Sequence, residues 1–324
     1  MKLLLTCPPM IKNIERYKTK IAEYGFDLTI PEFTQIMKEK DLIDIIPQFD
    51  AWIIGDDPAT RAVFEAGKKG KLKVCAKWGV GVDNVDFQAC SDLNIPITNT
   101  PMMFGEEVSD VAIGFLLNLV RQLHTIDREI EKGLWFKPAG MSLSGKKVCL
   151  VGFGDIGQCT ARKLLAFNMN VLCSDPNFYK QNGDIISKNG ASVQNNLDKV
   201  NICSLEEAVD NADFIITTCN LNKFTHHLIN EEIIMKAKKG VYIINVARGP
   251  VVKNDALLKC KEHIGGIGLD VFETEPLPIN SKLFEFEKHI FGSHNGSHTI
   301  EGVDRVSLKV LEYIYIHLNN LSVL

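Results

Sequence analysis

Short apolar runs alternate with helix-period segments along most of this chain, and no other feature constrains its fold as tightly. The alternation is that of βα units, in which each strand is followed by a helix that packs back onto a parallel sheet. In the first hundred residues the spacing predicts strands at Leu3–Thr6, Asp27–Ile30, Trp52–Ile54, Lys73–Ala76 and Ile97–Asn99, with helical segments such as Ile11–Tyr24 and Ala59–Gly67 between them. A second series predicts strands at Lys147–Val151, Asn170–Ser174, Phe214–Thr217 and Val241–Asn245, and helices at Ile156–Phe167, Glu231–Gly240 and Glu301–Leu318. Ser204-Leu205-Glu206-Glu207 has the spacing of a capping box. Between the series, Val108, Val111, Ala112, Phe115, Leu116, Leu119 and Leu123 recur every three or four residues. That periodicity predicts one helix from Glu106 to Lys132, roughly 40 Å long, suited to a connector or a dimer element. The expected class is α/β, with two doubly wound parallel-sheet domains.

Composition narrows the partners. With 45% hydrophobic and 23% charged residues the chain of 324 is globular rather than disordered. Thirty-six basic against forty acidic side chains give no electrostatic case for nucleic acid. The basic run Lys68, Lys69, Lys71 and Lys73 reads as a solvated helix end. The longest apolar run, Val111–Val120, is interrupted by Asn118 and falls short of the roughly 18 residues of a membrane span. Leu3–Leu5 is too short for a signal-peptide core. Nine cysteines without a C-x-x-C pair point to reduced thiols, not to disulfides or a zinc site. The expectation is a soluble cytoplasmic protein with no metal and with neither membrane nor nucleic acid as partner.

The strand Val148–Val151 runs into Gly152-Phe153-Gly154-Asp155-Ile156-Gly157 and then into a helical segment. In that context each glycine of G-x-G-x-x-G has a task. Gly152 allows the tight turn, Gly154 lets the backbone approach a pyrophosphate, and Gly157 lets helix and strand pack closely. The helix start turns its free N–H groups toward the anion. Asp175 closes the next strand eighteen residues beyond Gly157, where an acid meets the adenosine ribose.

Further motifs then fall into place. Gly79-Val80-Gly81-Val82-Asp83-Asn84-Val85-Asp86, Asn99-Thr100-Pro101, Asn245-Val246-Ala247-Arg248-Gly249, Gly268-Leu269-Asp270-Val271-Phe272-Glu273-Thr274-Glu275-Pro276 and His294-Asn295-Gly296-Ser297 occur in that order. Together they resemble the D-isomer-specific 2-hydroxyacid dehydrogenases, especially the short phosphoglycerate-dehydrogenase-like branch. Ser293 stands where that family usually has proline. The resemblance implies a Rossmann NAD-binding domain, residues 101–295, inserted into a flavodoxin-like substrate domain made of residues 1–100 and 296–324. It also implies a small 2-hydroxy or 2-keto acid as substrate, and a homodimer formed through the cofactor domain around residues 106–132. Beside Gly152, Gly154 and Gly157, the cofactor contacts carried over are Thr100, Asp155, Ile156, Asp175, Cys219, Val246 and Asp270, with Gly296 next to the family's histidine. Val80 and Gly81 would take the substrate carboxylate. The serine-sensing domain of longer phosphoglycerate dehydrogenases is not expected after Leu324.

The family's catalytic Arg, Glu and His fall on Arg248, Glu275 and His294, and each suits its task. Arg248 offers a planar fork of donors for the carboxylate and the C2 oxygen. An unperturbed imidazole has its pKa near working pH, so His294 suits the role of acid or base. Glu275 fixes the imidazole tautomer and stabilises its protonated form. His226 and His227 are read as structural, and His298 falls at the family's serine position. For the substrate, the chain departs from phosphoglycerate enzymes, which tend to have arginines at Gly55 and just before the glycine loop. Here Asp56 and Asp57 follow Gly55, and Lys77-Trp78 precedes the loop. The general activity is therefore expected without a specific acid. D-3-phosphoglycerate dehydrogenase is the narrower alternative, and an NADH-sensing corepressor-like binding protein the alternative of another class.

Overall fold

Five strands build the first sheet: β1 (Lys2–Leu5), β2 (Asp27–Thr29), β3 (Ala51–Ile54), β4 (Val74–Lys77) and β5 (Ile97–Thr98). They are parallel throughout, in the order β2-β1-β3-β4-β5. Every residue of β3 and β4 is buried, as expected of strands covered on both faces, which read as unbroken apolar runs. Leu4, Trp52, Ile54, Val63 and Phe64 fill the core beside this sheet. The order reverses between β1 and β3, so their carboxyl ends form the crevice where doubly wound sheets bind ligands. This computed structural model describes residues 1–320, and the chain divides into two compact units, Met1–Met103 with His298–Leu324, and Phe104–Ser297.

The second unit has a seven-stranded parallel sheet, β6 (Lys147–Val151), β7 (Asn170–Ser174), β10 (Asn201–Ile202), β11 (Phe214–Thr217), β12 (Val241–Asn245), β13 (Ile264–Leu269) and β14 (His289–Phe291). Its order, β10-β7-β6-β11-β12-β13-β14, is the Rossmann 3-2-1-4-5-6 with one further edge strand. A separate hairpin, β8 (Phe178–Gln181) with β9 (Asp184–Ser187), turns at Asn182-Gly183, both in the left-handed region. Ser204 and Glu207 make the expected capping box.

Three sequence readings need correction. The segment Glu106–Lys132 is two helices, Gly105–Arg121 and Leu123–Glu131, separated by Gln122 at φ 52. The apolar spacing continues through the break. Only the first helix buries its stripe in this unit, however: Phe115 and Leu119 lie where a side chain on Gly268 of β13 would be, while the second helix has no buried residue. Ile11–Tyr24 is likewise broken, into Pro8–Lys12, a 3-10 turn at Ile14–Arg16, and Lys18–Glu23. There the Asn13 side chain donates to the Pro9 carbonyl at 2.9 Å and leaves the helical conformation, a side-chain bond competing with the helix. The helix beginning at Glu231 stops at Lys236, and Gly240 (φ +88) turns the chain into β12 instead of ending the helix.

No helix among the described residues is long and apolar enough to cross a membrane. All nine cysteines are free thiols, seven of them buried.

Candidate active site

The turn after β6 is shaped by close approach. Gly152 has φ +97, and a Cβ there would lie 2.7 Å from the Cys219 nitrogen. A Cβ on Gly157 would lie 2.2 Å from the Gly152 carbonyl oxygen, so only glycine lets the helix start settle against the turn. Gly154 differs, since a Cβ there would meet nothing within 4 Å. It is the N-cap of the helix Asp155–Ala166, whose N-terminus has no side-chain cap. Open space in front of an uncapped helix N-terminus, lined by glycine, fits a pyrophosphate.

The other residues expected at the cofactor surround this turn in different ways. Asp175 is fixed by two backbone donors, Phe153 N to Oδ2 and Asn177 N to Oδ1, both 2.8 Å. Each carboxylate oxygen has a second lone pair for a ribose hydroxyl. The Asp155 carboxyl faces the start of the helix Gly105–Arg121; burial pushes its pKa up, while the N–H groups of Gly105 and Phe104 pull it down. What Asp155 and Ile156 offer a ligand is therefore backbone at the helix start. Val246 is buried and donates its N–H to Thr217. Burial raises the Cys219 thiol to about 12, which leaves it inert.

At the ends of β12 and β13 the same unit brings Arg248, Glu275 and His294 into one network of loops. Asn245, buried at the end of β12, accepts from Ala247 N at 3.0 Å and donates to the Arg248 carbonyl at 2.9 Å. A Cβ on Gly249 would lie 2.0 Å from the Phe272 carbonyl carbon, so the Arg248 turn is pressed against the segment after β13. On that segment Glu275 Oε1 accepts from Phe272 N at 2.9 Å, and Glu275 Oε2 lies 2.8 Å from His294 Nδ1. The Glu275–Pro276 peptide is cis. His294 sits at φ 56, and its N–H donates to the Asp270 carbonyl at 2.8 Å. The buried Asp270 carboxyl accepts from Asn295 N at 3.2 Å and from Gly296 N at 2.9 Å. Burial raises its pKa, and those two donors work against the rise. Asp270 and Gly296 thus form the floor beneath His294.

One further pair in this network is marked by no sequence motif. His227, read as structural, places Nε2 2.9 Å from Glu273 Oε1 and donates its N–H to the Pro250 carbonyl at 2.7 Å. Asn245 and Gly249 were visible as motif letters, but their work of holding Arg248 shows only in three dimensions.

Thr100, Val80 and Gly81 belong to the first unit. Gly79 (φ +118) donates its N–H to Thr100 Oγ1 at 3.0 Å, and its carbonyl accepts from Thr100 N. Asn99 donates to the Val80 carbonyl. The N–H groups of Val80 and Gly81 meet no acceptor among the described residues. A pair of adjacent unpaired donors in a glycine turn suits one carboxylate.

Comparison with known proteins agrees with this architecture. The family model described as D-isomer specific 2-hydroxyacid dehydrogenase, NAD binding domain, matches residues 113–296. Hydroxypyruvate reductase of Thermotoga maritima is 34% identical over 294 residues, 88% of this chain and 90% of that protein. The chloroplastic D-3-phosphoglycerate dehydrogenase 2 of Arabidopsis thaliana is 32% identical over 91% of this chain but only 47% of its own length. Among solved structures, D-lactate dehydrogenase of Aquifex aeolicus complexed with NAD and lactic acid superposes with a TM-score of 0.81, at 25% identity over 99% of this chain and 96% of that one. The chain belongs to the D-isomer-specific 2-hydroxyacid dehydrogenase family and is an NAD-dependent oxidoreductase.

Proposed function

We propose that the chain interconverts a 2-keto acid and its D-2-hydroxy acid, with His294 and Glu275 as the acid–base pair and Arg248 as the substrate-binding cation. The observation that carries this reading is the 2.8 Å contact between His294 Nδ1 and Glu275, on the unit that holds the glycine turn. NADH, when bound, supplies the two-electron reducing equivalent for C2 and NAD takes it back in the reverse direction. Arg248 grips the substrate's carboxylate and C2 oxygen with its planar fork. Because Glu275 accepts the proton on Nδ1, the imidazole exchanges the substrate's proton through Nε2. His294 gives that proton to the C2 oxygen in reduction and removes it in oxidation. Val80 and Gly81 donate their N–H groups to the carboxylate. NAD is held by Gly152, Gly154, Gly157 and the backbone of Asp155 and Ile156 at the pyrophosphate, by Asp175 at the ribose, and by Thr100, Cys219, Val246, Asp270 and Gly296 around the rest.

Asp175 also sets the preference for NAD over NADP, whose 2′-phosphate would face its carboxylate. Lys180, the first cation after Asp175, does not relieve the repulsion, since its ammonium donates to the carbonyls of Asp198 and Val200. NADH is expected to exceed NADPH in kcat/KM by about 10- to 10³-fold. A screen of NADH oxidation over glyoxylate, pyruvate, hydroxypyruvate and its 3-phosphorylated analogue tests the activity. NADH binding without turnover of any of them would refute it.

The same unit supports a homodimer. Leu123 and Ile130 on the helix Leu123–Glu131, followed by Leu134, Trp135 and Phe136, are exposed, with Trp135 at 79%. An apolar strip of this kind marks a protein interface. Light scattering giving twice the chain mass, reduced to one chain mass by Trp135→Glu, is the expected result. Nine unpaired thiols support a reducing, cytoplasmic setting.

A further inference from the structure

The carboxyl ends of β3 and β4 hold a charge pair that no part of the acid–base chemistry uses. Asp56 and Asp57 are adjacent in sequence but opposite in situation. Asp57 is fully buried and accepts from Thr6 Oγ1 at 2.5 Å, Met37 N at 2.8 Å and Gly55 N at 3.2 Å. It braces the crevice between β1 and β3 from within. Asp56 has a side chain 58% exposed and lies 3.1 Å from the ammonium of Lys77, itself only 3% exposed. That ammonium also donates to the Trp78 carbonyl at 3.1 Å, and it lies 3.8 Å from where a side chain on Gly79 would begin. A buried cation thus sits directly under the glycine turn, with a solvent-facing carboxylate set on it.

Two contacts fix this arrangement. Asn84, at the far end of the glycine turn, donates to the carbonyls of both Gly55 and Asp57, at 3.1 and 2.7 Å. Gly55 has no room for a side chain, because a Cβ would lie 2.6 Å from the Thr6 carbonyl oxygen. A cation cannot be added at that position without moving β1. The cation that stands under the glycine turn is Lys77, and Asp56 pairs with it.

We propose that Asp56 is the specificity-determining residue of this enzyme: with Lys77 neutralised beneath the glycine turn, it rejects 2-keto acids carrying an anionic group on C3 and favours a C3 hydroxyl, whose hydrogen bond it accepts. The inference rests on the proposed function, since it assumes the substrate carboxylate lies on Val80 and Gly81. A phosphate of charge near −2 would meet an exposed carboxylate and find its potential counter-ion occupied. A hydroxyl donor meets an acceptor.

The test is steady-state kinetics with NADH on pyruvate, hydroxypyruvate and 3-phosphohydroxypyruvate, for wild type, Asp56→Asn and Asp56→Ala. Wild type is expected to rank hydroxypyruvate first and the phosphorylated acid last. Asp56→Asn unmasks Lys77 and raises kcat/KM for the phosphorylated acid relative to hydroxypyruvate at least tenfold, or about 1.4 kcal/mol, an effect that shrinks with added salt. Asp56→Ala removes the acceptor as well and lowers the hydroxypyruvate-to-pyruvate ratio about tenfold. NADH affinity, read by fluorescence, stays level in both variants and reports that they are folded. A wild type that prefers the phosphorylated acid, or variants whose ratios do not move, overturn the assignment while the oxidoreductase reading stands. A wild type that binds NADH and turns over none of the three acids overturns both.

Discussion

His294–Glu275 and His227–Glu273 are almost the same object. Each is an imidazole within 2.9 Å of a glutamate, each histidine has a positive φ, and the two glutamates are two residues apart on one segment. What differs is what else each pair holds. Glu273 Oε1 also accepts from Asn254 N at 3.2 Å, and the His227 backbone is tied to Pro250, so this pair fastens one turn to another. Glu275 accepts instead from the nearby Phe272 N–H, and the His294 backbone rests on Asp270, so that pair is braced from behind. A carboxylate on a histidine is thus not in itself a sign of catalysis. On the proposed function, what surrounds each pair separates a proton shuttle at His294 from a clasp at His227.

The contrast is breakable. His294→Ala is expected to lower kcat by about 10²–10⁴-fold, whereas His227→Ala stays within about threefold in kcat and costs about 1 kcal/mol of stability at most, as half-exposed ion pairs do. Stopped-flow and thermal melts on both variants measure the two effects; equal losses of kcat would dissolve the distinction. Arg248→Lys comes next, since its turn is pressed against the segment that carries both glutamates. Losing a charge-assisted fork removes about 1.5–3 kcal/mol, or roughly 10–10²-fold in kcat/KM, with NADH affinity unchanged by fluorescence titration. The smallest effect sharpens the comparison most. On the proposed function reduction consumes a proton from His294, so its rate is expected to fall as pH rises, and oxidation to show the opposite slope. Glu275→Gln destabilises the imidazolium and moves both profiles toward lower pH. Glu273→Gln leaves them in place, and a shift of equal size in that variant would count against the assignment.

How much of this was legible beforehand follows from what kind of signal each part sends. The strands β1, β3, β6, β11 and β12 are each built on a run of three or more apolar residues, and the glycine turn after β6 is a local motif, so both could be read directly. By contrast β13 reads Ile-Gly-Gly-Ile-Gly-Leu, and three glycines weaken any strand signal. They are there because Gly265 and Gly268 let neighbouring elements approach: a Cβ would lie 2.3 Å from the Gly240 carbonyl oxygen in the first case and 3.0 Å from the Phe115 side chain in the second. The hairpin around Asn182-Gly183 did have a signal, the Asn-Gly turn. The break at Gln122 had none, since neither glycine nor proline marks it. Arg248, Glu275 and His294 could be named as candidates through motifs, but Asp56 and Asp57 were not separable. Two identical side chains in succession take opposite environments only once β1 and β4 stand beside β3.

One position has a meaning for the history of such chains. At Gly249 the nearest foreign atoms are the backbone of Phe272 and Glu273, which cannot rotate away as a side chain can. Most of the loop could drift in composition over many generations, but this site has an alphabet of a single letter. In a saturation library across residues 245–252, selection for turnover should return glycine alone at 249 while neighbouring positions diversify. The freedom to vary Arg248's surroundings thus ends at a carbonyl contributed by a different stretch of chain, and any lineage that rebuilds this turn has to rebuild the Phe272 segment in the same step.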